Sequence, residues 1–269
     1  MRPTASGAVP PQRPRPAATA PPDLSVIIPA YNEERRLRPG IDEVCRYLRD
    51  AARPANSPRW EVIVVDDGST DGTAAIAEEA AADEPRIRIL RAPVNRGKGH
   101  AVRIGVRASR GRRVLFCDAD QATPIEELAL LDRRLDEGFA VAIGSRARPD
   151  SRVQARQHPA RELLGKAGNQ IIRALAVPGV RDTQCGFKLF DGEKARTAFS
   201  RARTDGWGFD VEILRIFHEN GWPIAEVPVR WSHRPGSKVG ALDYAKVLAE
   251  VVRVRLRTAA PRTTTGGER

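Results

Sequence analysis

Two kinds of hydrophobic pattern alternate along the chain. Leu24–Ile28, Trp60–Val65, Ile87–Leu90, Arg113–Cys117 and Phe139–Gly144 are apolar runs of four to six residues, rich in Val, Ile, Leu and Phe and bounded by turn residues. Such runs are buried strands. Between them Glu34–Ala52, Gly72–Ala82, Gly99–Ser109 and Pro124–Glu137 have helical length and spacing. Asp71 is placed to cap the second helix, and Thr123 with Pro124 to open the fourth. Strand and helix in alternation predict an α/β domain whose mostly parallel central sheet is covered by helices on both faces. Ligands of such sheets bind beyond the carboxyl ends of the strands, so the chemistry belongs in the loops that follow them.

The pattern fails at both ends. Residues 1–22 hold seven prolines and almost nothing to bury, so they form a disordered tail that cannot offset its ordering entropy. Residues 258–269 read as a second tail. The domain is therefore expected over residues 23–240, followed by an amphipathic helix over 241–257. On that helix Leu242, Ala245, Leu248, Ala249, Val252 and Leu256 share one face, and Lys246, Arg253, Arg255 and Arg257 lie elsewhere. Packing on the core and lying on an anionic bilayer surface are both open to it. No apolar run reaches the roughly 18–20 residues of a membrane span, and no apolar leader precedes the domain.

Charge widens the choice of partners. The 269 residues carry 45 Lys and Arg against 34 Asp and Glu, a net charge of +11. The tails contribute five Arg and one Glu, so most of the excess belongs to the domain, which suits phosphorylated ligands or an anionic membrane. A nucleic-acid partner is not expected: aromatics are few, no recognition motif is present, and acidic residues concentrate in the strand-end loops. Cys45, Cys117 and Cys185 have no metal-binding spacing and form no disulfide framework, which points to a reducing, cytoplasmic setting.

The loops on that edge are acidic or polar. Pro29-Ala30-Tyr31-Asn32-Glu33 follows the first strand, Asp66-Asp67-Gly68-Ser69-Thr70-Asp71 the second, and Asp118-Ala119-Asp120 the fourth. Converging carboxylates repel one another unless cations or hydrogen-bond donors hold them. Asp118 and Asp120 could share one hard divalent ion, which prefers oxygen ligands and accepts substrate phosphates as well. Asn95-Arg96-Gly97-Lys98-Gly99 leads into a helix and could contact an anion through its backbone and Lys98. Neither a GxxxxGK[ST] loop nor a GxGxxG turn after the first strand is present, so the ATPase and dinucleotide-binding readings lose their main support.

In this order the segments PAYNE, VIVVDDGSTDGT, NRGKGHAVRIG, FCDADQATP and GSR, within Leu24–Arg146, resemble glycosyltransferase family 2, nucleotide-sugar transferases of the GT-A fold. RDTQCGFKLF, GWGFDVEIL and IAEVPVRWSHRPGSKV extend the resemblance to Val239, towards the dolichyl-phosphate β-glucosyltransferase branch beside the polyprenyl-phosphate mannose synthases. The resemblance implies a single GT-A domain with a Rossmann-like nucleotide-binding half. It implies that Pro29, Tyr31 and Glu33 hold base and ribose, that Asp67 or Asp66 accepts from the uracil N–H, and that Asp118 contacts sugar or ribose. Asp120 would ligate Mg²⁺ or Mn²⁺ on the diphosphate. The mannose synthases usually carry Gln two residues after the second Asp, where this chain has Ala122; Gln121, one place early, is the remaining ligand candidate.

The expected reaction is inverting, metal-dependent transfer of a hexose, glucose by the branch resemblance, from a UDP-sugar to a polyprenyl phosphate at the cytoplasmic face of a membrane, with a separate membrane protein as a possible partner. A phosphate acceptor is mostly dianionic at pH 7 and needs no base. It needs cations, and Arg146, Arg161, Lys188, Arg234 and Lys238 are the candidates for acceptor and diphosphate contacts. A hydroxyl acceptor would need a base, for which Asp210 is the candidate unless it only caps the helix Val211–Glu219. A GDP-mannose donor is the further alternative.

Overall fold

A computed structural model describes residues 20–51, 59–148, 150–154, 177–233 and 241–259. Strand β1 (Leu24–Ala30) pairs in parallel with β2 (Trp60–Asp66) and β4 (Arg113–Cys117), and β2 pairs in parallel with β3 (Ile87–Arg91). Helices α1 (Leu37–Ala51), α2 (Thr73–Asp83), α3 (Lys98–Ala108) and α4 (Leu128–Asp136) fall between or after these strands, as the periodicity predicts. The second half adds β5 (Val141–Ser145), β7 (Phe187–Asp191) and β8 (Ile224–Pro228), giving seven strands in the order β3-β2-β1-β4-β7-β5-β8. A separate parallel pair joins β6 (Arg152–Gln154) to β9 (Arg230–Ser232). Helices α5 (Gly192–Arg201), α6 (Phe209–Glu219) and α7 (Ala241–Ala259) complete the described elements.

Burial explains the alternation. On one face Val26, Ile28, Val62, Val64 and Leu115 pack with Ile41, Val44 and Leu48 of α1 and with Leu128 and Leu131 of α4. On the other, Ile27, Ile63, Val65, Val114 and Phe116 pack with Val102 and Val106 of α3, Phe199 of α5 and Phe217 of α6. Successive strand residues point to opposite faces, so a sheet covered twice needs apolar residues at every position.

Four local expectations change. Strand β7 runs antiparallel to both β4 and β5 and has Lys188 as its second residue, opposite Phe116 and Ile143; the lysine interrupts the apolar run by which a strand would be read. Pro124 is extended and precedes a single 3₁₀ turn, Ile125–Glu127, rather than opening an α-helix, and the Thr123 hydroxyl lies 3.9 Å from Cys185 Sγ instead of capping. Pro22, assigned to the tail, is buried, and its carbonyl accepts from Arg112 N–H at 3.1 Å. Asp71 is not the N-cap of α2 either: that place is Gly72, and Asp71, one residue earlier, accepts from Thr73 N–H at 3.0 Å. The rest of the two tails, residues 1–19 and 260–269, lies outside the described residues.

Helix α7 packs on α6, with Val247, Val251 and Val254 buried against Val211 and Trp207. The face inferred from sequence is not the buried one: Ala249 is exposed, Val252 is 40% exposed and Leu256 67%. No described helix is long and apolar enough to cross a membrane.

Candidate active site

The loops after β1, β2 and β4 meet at one edge of the sheet, and their hydrogen bonds sort the carboxylates into those that build the edge and those that face the cleft. Asn32, at φ 51°, donates its N–H to Ser69 Oγ at 2.9 Å, and its side-chain oxygen accepts from Thr70 N–H at 2.9 Å. Glu33 N–H donates to Thr73 Oγ1 at 2.7 Å. The PAYNE and DDGSTDG segments are thus stitched together, and Pro29 and Tyr31 lie on the β1 side of that seam. Tyr31 is 37% exposed. Glu33 is held by Arg36 Nε and Nη2 at 2.7 and 2.8 Å.

The two aspartates after β2 are building residues. Asp66 is fully buried; one oxygen accepts from Ser69 N–H at 2.9 Å and the other lies 3.3 Å from Arg91 Nε. Asp67 Oδ2 accepts from the N–H groups of Arg96 and Gly97 at 3.1 and 2.7 Å, and its Oδ1 lies 3.3 Å from His100 Nδ1. Asp67 therefore fastens the Asn95–Gly99 loop to the end of β2. Gly68, at φ +73°, lets the two backbones approach: a Cβ there would lie 2.5 Å from the Val94 carbonyl carbon.

Asp118 and Asp120 have partly exposed side chains at the end of β4. Asp118 Oδ1 receives Lys98 Nζ at 2.6 Å, and Asp120 Oδ2 lies 3.7 Å from Arg36 Nη1. Burial first and the neighbouring Asp118 second push the Asp120 carboxyl above the ordinary range, against the pull of Arg36 and Lys98. Burial pulls the Lys98 ammonium down, but Asp118, Asp210 and Asp120 together hold it above an ordinary lysine, so it stays charged. The Asp118 carboxylate lies directly over Gly186 Cα, where any Cβ would overlap it, and Asp118 N–H donates to Gly186 carbonyl at 3.1 Å. Gly186→Ala is therefore expected to swing the Asp118 carboxylate away while leaving the fold in place. Measured side by side, activity should fall at least about tenfold, with thermal stability changed by no more than roughly 1 kcal/mol.

Behind this pair is a second one. Lys188 is 1% exposed and donates to Asp210 Oδ1 and to the Cys185 carbonyl, each at 2.5 Å. Lys188 is thus not an acceptor or diphosphate contact: it is a buried cation whose donors are committed inside the sheet. Asp210 neither caps α6 nor presents a free carboxylate. It sits in the first turn, 4% exposed, after Gly208 at the N-cap. Burial pushes its carboxyl up, against the pull of Lys188 and Lys98. Glu212 receives the N–H groups of Arg203 and Thr204 at 3.0 and 2.7 Å.

Arg146, at the end of β5, is clamped by Asp182 through Nε and Nη2 at 2.8 and 2.9 Å, and its guanidinium lies 5.6 Å from the centre of the Trp231 ring. Burial opposes its charge, but Asp182 outweighs burial and keeps it cationic. Gln121 is turned inward, at φ 48° and 2% exposed, donating to the Asp118 carbonyl at 3.0 Å; this placement does not suit a metal ligand. Arg161, Arg234 and Lys238 lie outside the described residues. The three cysteines are buried and free, and burial pushes their thiols up to about 11, 12 and 11 for Cys45, Cys117 and Cys185, so they are packing groups.

Sequence reasoning missed Arg36, Asp182, Trp207 and Trp231. The centre of the Trp207 ring lies 4.9 Å from Lys98 Nζ. Arg36 directly follows the PAYNE segment's helix entry and could have been weighed with it; the other three come together only through tertiary packing.

Comparison with known proteins places the chain in a family and a fold. The family model "Glycosyl transferase family 2" matches residues 25–197. A dolichyl-phosphate beta-glucosyltransferase of Homo sapiens is 38% identical over 245 residues, covering 87% of this chain and 75% of its own length. The Drosophila melanogaster protein of the same name is 40% identical over 229 residues, covering 81% and 69%. Among solved structures, glucosyl-3-phosphoglycerate synthase from Mycobacterium tuberculosis, in complex with Mn²⁺, UDP and glucosyl-3-phosphoglycerate, superposes with a TM-score of 0.64 at 22% identity, covering 95% of this chain and 89% of that one. That likeness establishes the expected α/β transferase fold. The chain is an enzyme of the glycosyltransferase class and belongs to glycosyltransferase family 2.

Proposed function

We propose that the protein transfers glucose from UDP-glucose to a dolichyl-type polyprenyl phosphate, inverting the sugar carbon. The observation that carries this reading is the balance of the cleft: the carboxylates Asp118 and Asp120 stand among the cations Lys98, Arg36 and Arg146. The relatives named for dolichyl-phosphate glucosylation support it. Two anions must meet in this reaction, a diphosphate donor and a phosphate acceptor, and the second needs no deprotonation at neutral pH. A hydroxyl acceptor would need a base, and the carboxylate considered for that task, Asp210, is bound to Lys188.

Mg²⁺ or Mn²⁺ fits the Asp118–Asp120 pair. Both are hard oxygen donors on one strand end, and burial first with the neighbouring Asp118 second raise the Asp120 carboxyl, a cost that a bound cation relieves. Among the described residues no cluster of three or more His, Cys, Asp or Glu competes for this role. Bound there, the ion would stabilise the charge that gathers on the departing diphosphate. The chain's own groups do the rest. Lys98 fixes Asp118, Arg36 braces Glu33 beside Asp120, and Pro29, Tyr31 and Glu33 frame the nucleoside. Asp67 acts through the loop it fastens, and Arg146, held rigid by Asp182, receives the acceptor phosphate. Attack on C1 from the side opposite UDP gives a β-linked product from an α-linked donor.

The domain occupies residues 23–240, and α7 brings it to the membrane. Its outer face offers Val252 and Leu256 beside exposed Lys246, Arg253 and Arg255, a pairing of apolar and basic groups suited to anionic lipid at the cytoplasmic face. One experiment tests acceptor and docking together. With phosphatidylserine vesicles the protein should sediment at physiological salt, glucosylate embedded polyprenyl phosphate and leave embedded polyprenyl alcohol untouched; Leu256→Asp should weaken sedimentation. Transfer to the alcohol would contradict the acceptor reading, and protein that stays in the supernatant would contradict the docking reading.

A further inference from the structure

The loop that precedes α6 is held from behind by the terminal helix. Gly208 N–H donates to Glu250 Oε2 at 2.7 Å, across 42 residues of sequence. Gly206 and Gly208 are both shaped to this carboxylate. A Cβ on Gly206 would overlap it, and one on Gly208 would lie 2.7 Å from Glu250 Cβ and 3.0 Å from Oε2. Between the two glycines stands Trp207. One side of it packs with Val211, Val247, Val251 and Val254, and its ring centre lies 4.9 Å from Lys98 Nζ.

The same loop is the wall against which the Gly97-Lys98-Gly99 turn rests. A Cβ on Gly97 would lie 2.6 Å from the Asp205 carbonyl oxygen, and one on Gly99 would lie 2.6 Å from the Thr204 carbonyl oxygen and 2.8 Å from that of Gly206. His100 N–H donates to the Asp205 carbonyl at 3.1 Å, and the Asp205 carboxylate is paired with Arg96 and Arg103. Loop and turn are therefore in backbone contact, and they move as one body if either moves. What Lys98 does at the front, a 2.6 Å contact with Asp118, depends on where that wall stands.

We propose that Glu250 is a positioning residue for the donor site: its carboxylate clasps the Gly206–Gly208 loop so that Trp207 and the loop backbone hold Lys98 against Asp118. The proposal rests on the reading that Lys98 and Asp118 face the donor diphosphate. Glu250 touches no reacting atom; it acts through two intermediaries, the loop and the lysine. A clasp of this kind acts on how well the donor is held more than on the fold, because Val247, Val251 and Val254 already bury the helix against Val211 and Trp207.

The test compares Glu250→Ala, Glu250→Gln and Leu48→Ala with the parent protein, full chain, in UDP-glucose transfer, in UDP binding by calorimetry with Mn²⁺, and in thermal unfolding. Glu250→Ala should raise the donor KM and the UDP dissociation constant by about tenfold, the loss expected when a contact is misplaced rather than removed. Glu250→Gln keeps an oxygen that accepts from Gly208 N–H and should stay within about twofold of the parent in both quantities. Leu48→Ala, in the core under α1 and in contact with neither the loop nor α7, loosens the fold without touching the clasp, so it should lower the unfolding temperature and leave donor KM and UDP binding unmoved. The proposal is overturned if Glu250→Ala leaves both donor quantities within twofold, or if Leu48→Ala weakens them equally, since the effect would then be general loosening of the fold. A parent protein that binds UDP with Mn²⁺ but transfers no glucose would contradict the functional reading alone, and the order of UDP affinities would still decide the clasp.

Discussion

Asp120→Ala is expected to lower glucose transfer by about 10³-fold or more, the loss that follows when several kcal/mol of charge stabilisation on a leaving diphosphate disappears. Stability should not follow activity. The Asp120 carboxylate accepts one backbone hydrogen bond, from Ala122 N–H at 3.1 Å, and stands against burial and the repulsion of Asp118. Removing such a group relieves strain that the fold tolerates for function, so the unfolding temperature should hold or rise slightly. Treating the parent protein with EDTA should reproduce the loss, and Mn²⁺ or Mg²⁺ should restore the parent but not the variant. Initial rates with and without chelator, beside a melting curve, check all of this. A variant that keeps more than about a tenth of the parent rate would show that the ion, if needed, is held elsewhere.

Lys188→Met carries the largest expected cost in stability. The Lys188–Asp210 pair is almost wholly buried, with Phe116 beneath it at 5.6 Å from Nζ. Removing one partner of such a pair strands the other, at a cost of about 3–5 kcal/mol. Asp210 can respond only by protonating, and burial already pushes it that way. Replacing both, Lys188→Met with Asp210→Leu, should recover much of the loss, because a packed apolar pair of similar volume is often as stable as the ion pair. Denaturant melts of the two single variants and the double variant give the coupling directly. Activity should separate from stability in the double variant: Asp210 also helps hold the Lys98 charge, so a refolded core with neutral residues should still transfer glucose more slowly. If the double variant were as unstable as the worse single variant, the pair would be holding the fold by shape rather than charge.

The first half of the fold was legible because its strands are continuous apolar runs and its helices keep their spacing; β1 to β5 and α1 to α4 fall where the pattern puts them. The second half was not, because β7 carries a lysine at its second position and β8 alternates, Ile224 and Glu226 partly exposed against buried Ala225 and Val227. Of the candidate site, Asp118 and Asp120 were legible from their place at a strand end. Asp66, Asp67 and Lys188 were visible as charges but read as ligand contacts, and Asp210 as a base or a helix cap rather than as the partner of a buried lysine. Whether a carboxylate faces a ligand or its own backbone depends on which loop packs beside it. For Asp67 that loop is Asn95–Gly99, and for Asp210 it is a strand 22 residues earlier. On α7 the valines at 247, 251 and 254 carry the inner face, and Ala249, Val252 and Leu256 of the face read from the sequence are exposed. Both faces are apolar enough to attract a helix-packing reading, and only the position of Val211 and Trp207 chooses between them.

The most direct test of the central claim is to supply labelled UDP-glucose and, in parallel, labelled GDP-mannose to the purified protein with polyprenyl phosphate in detergent and Mn²⁺, and to count label in the organic phase. The account predicts label from UDP-glucose, in a β-linked phosphodiester product, with at most a trace from GDP-mannose. Label only from GDP-mannose, or none in lipid from either donor while UDP-glucose is consumed by a hydroxyl acceptor, would contradict it.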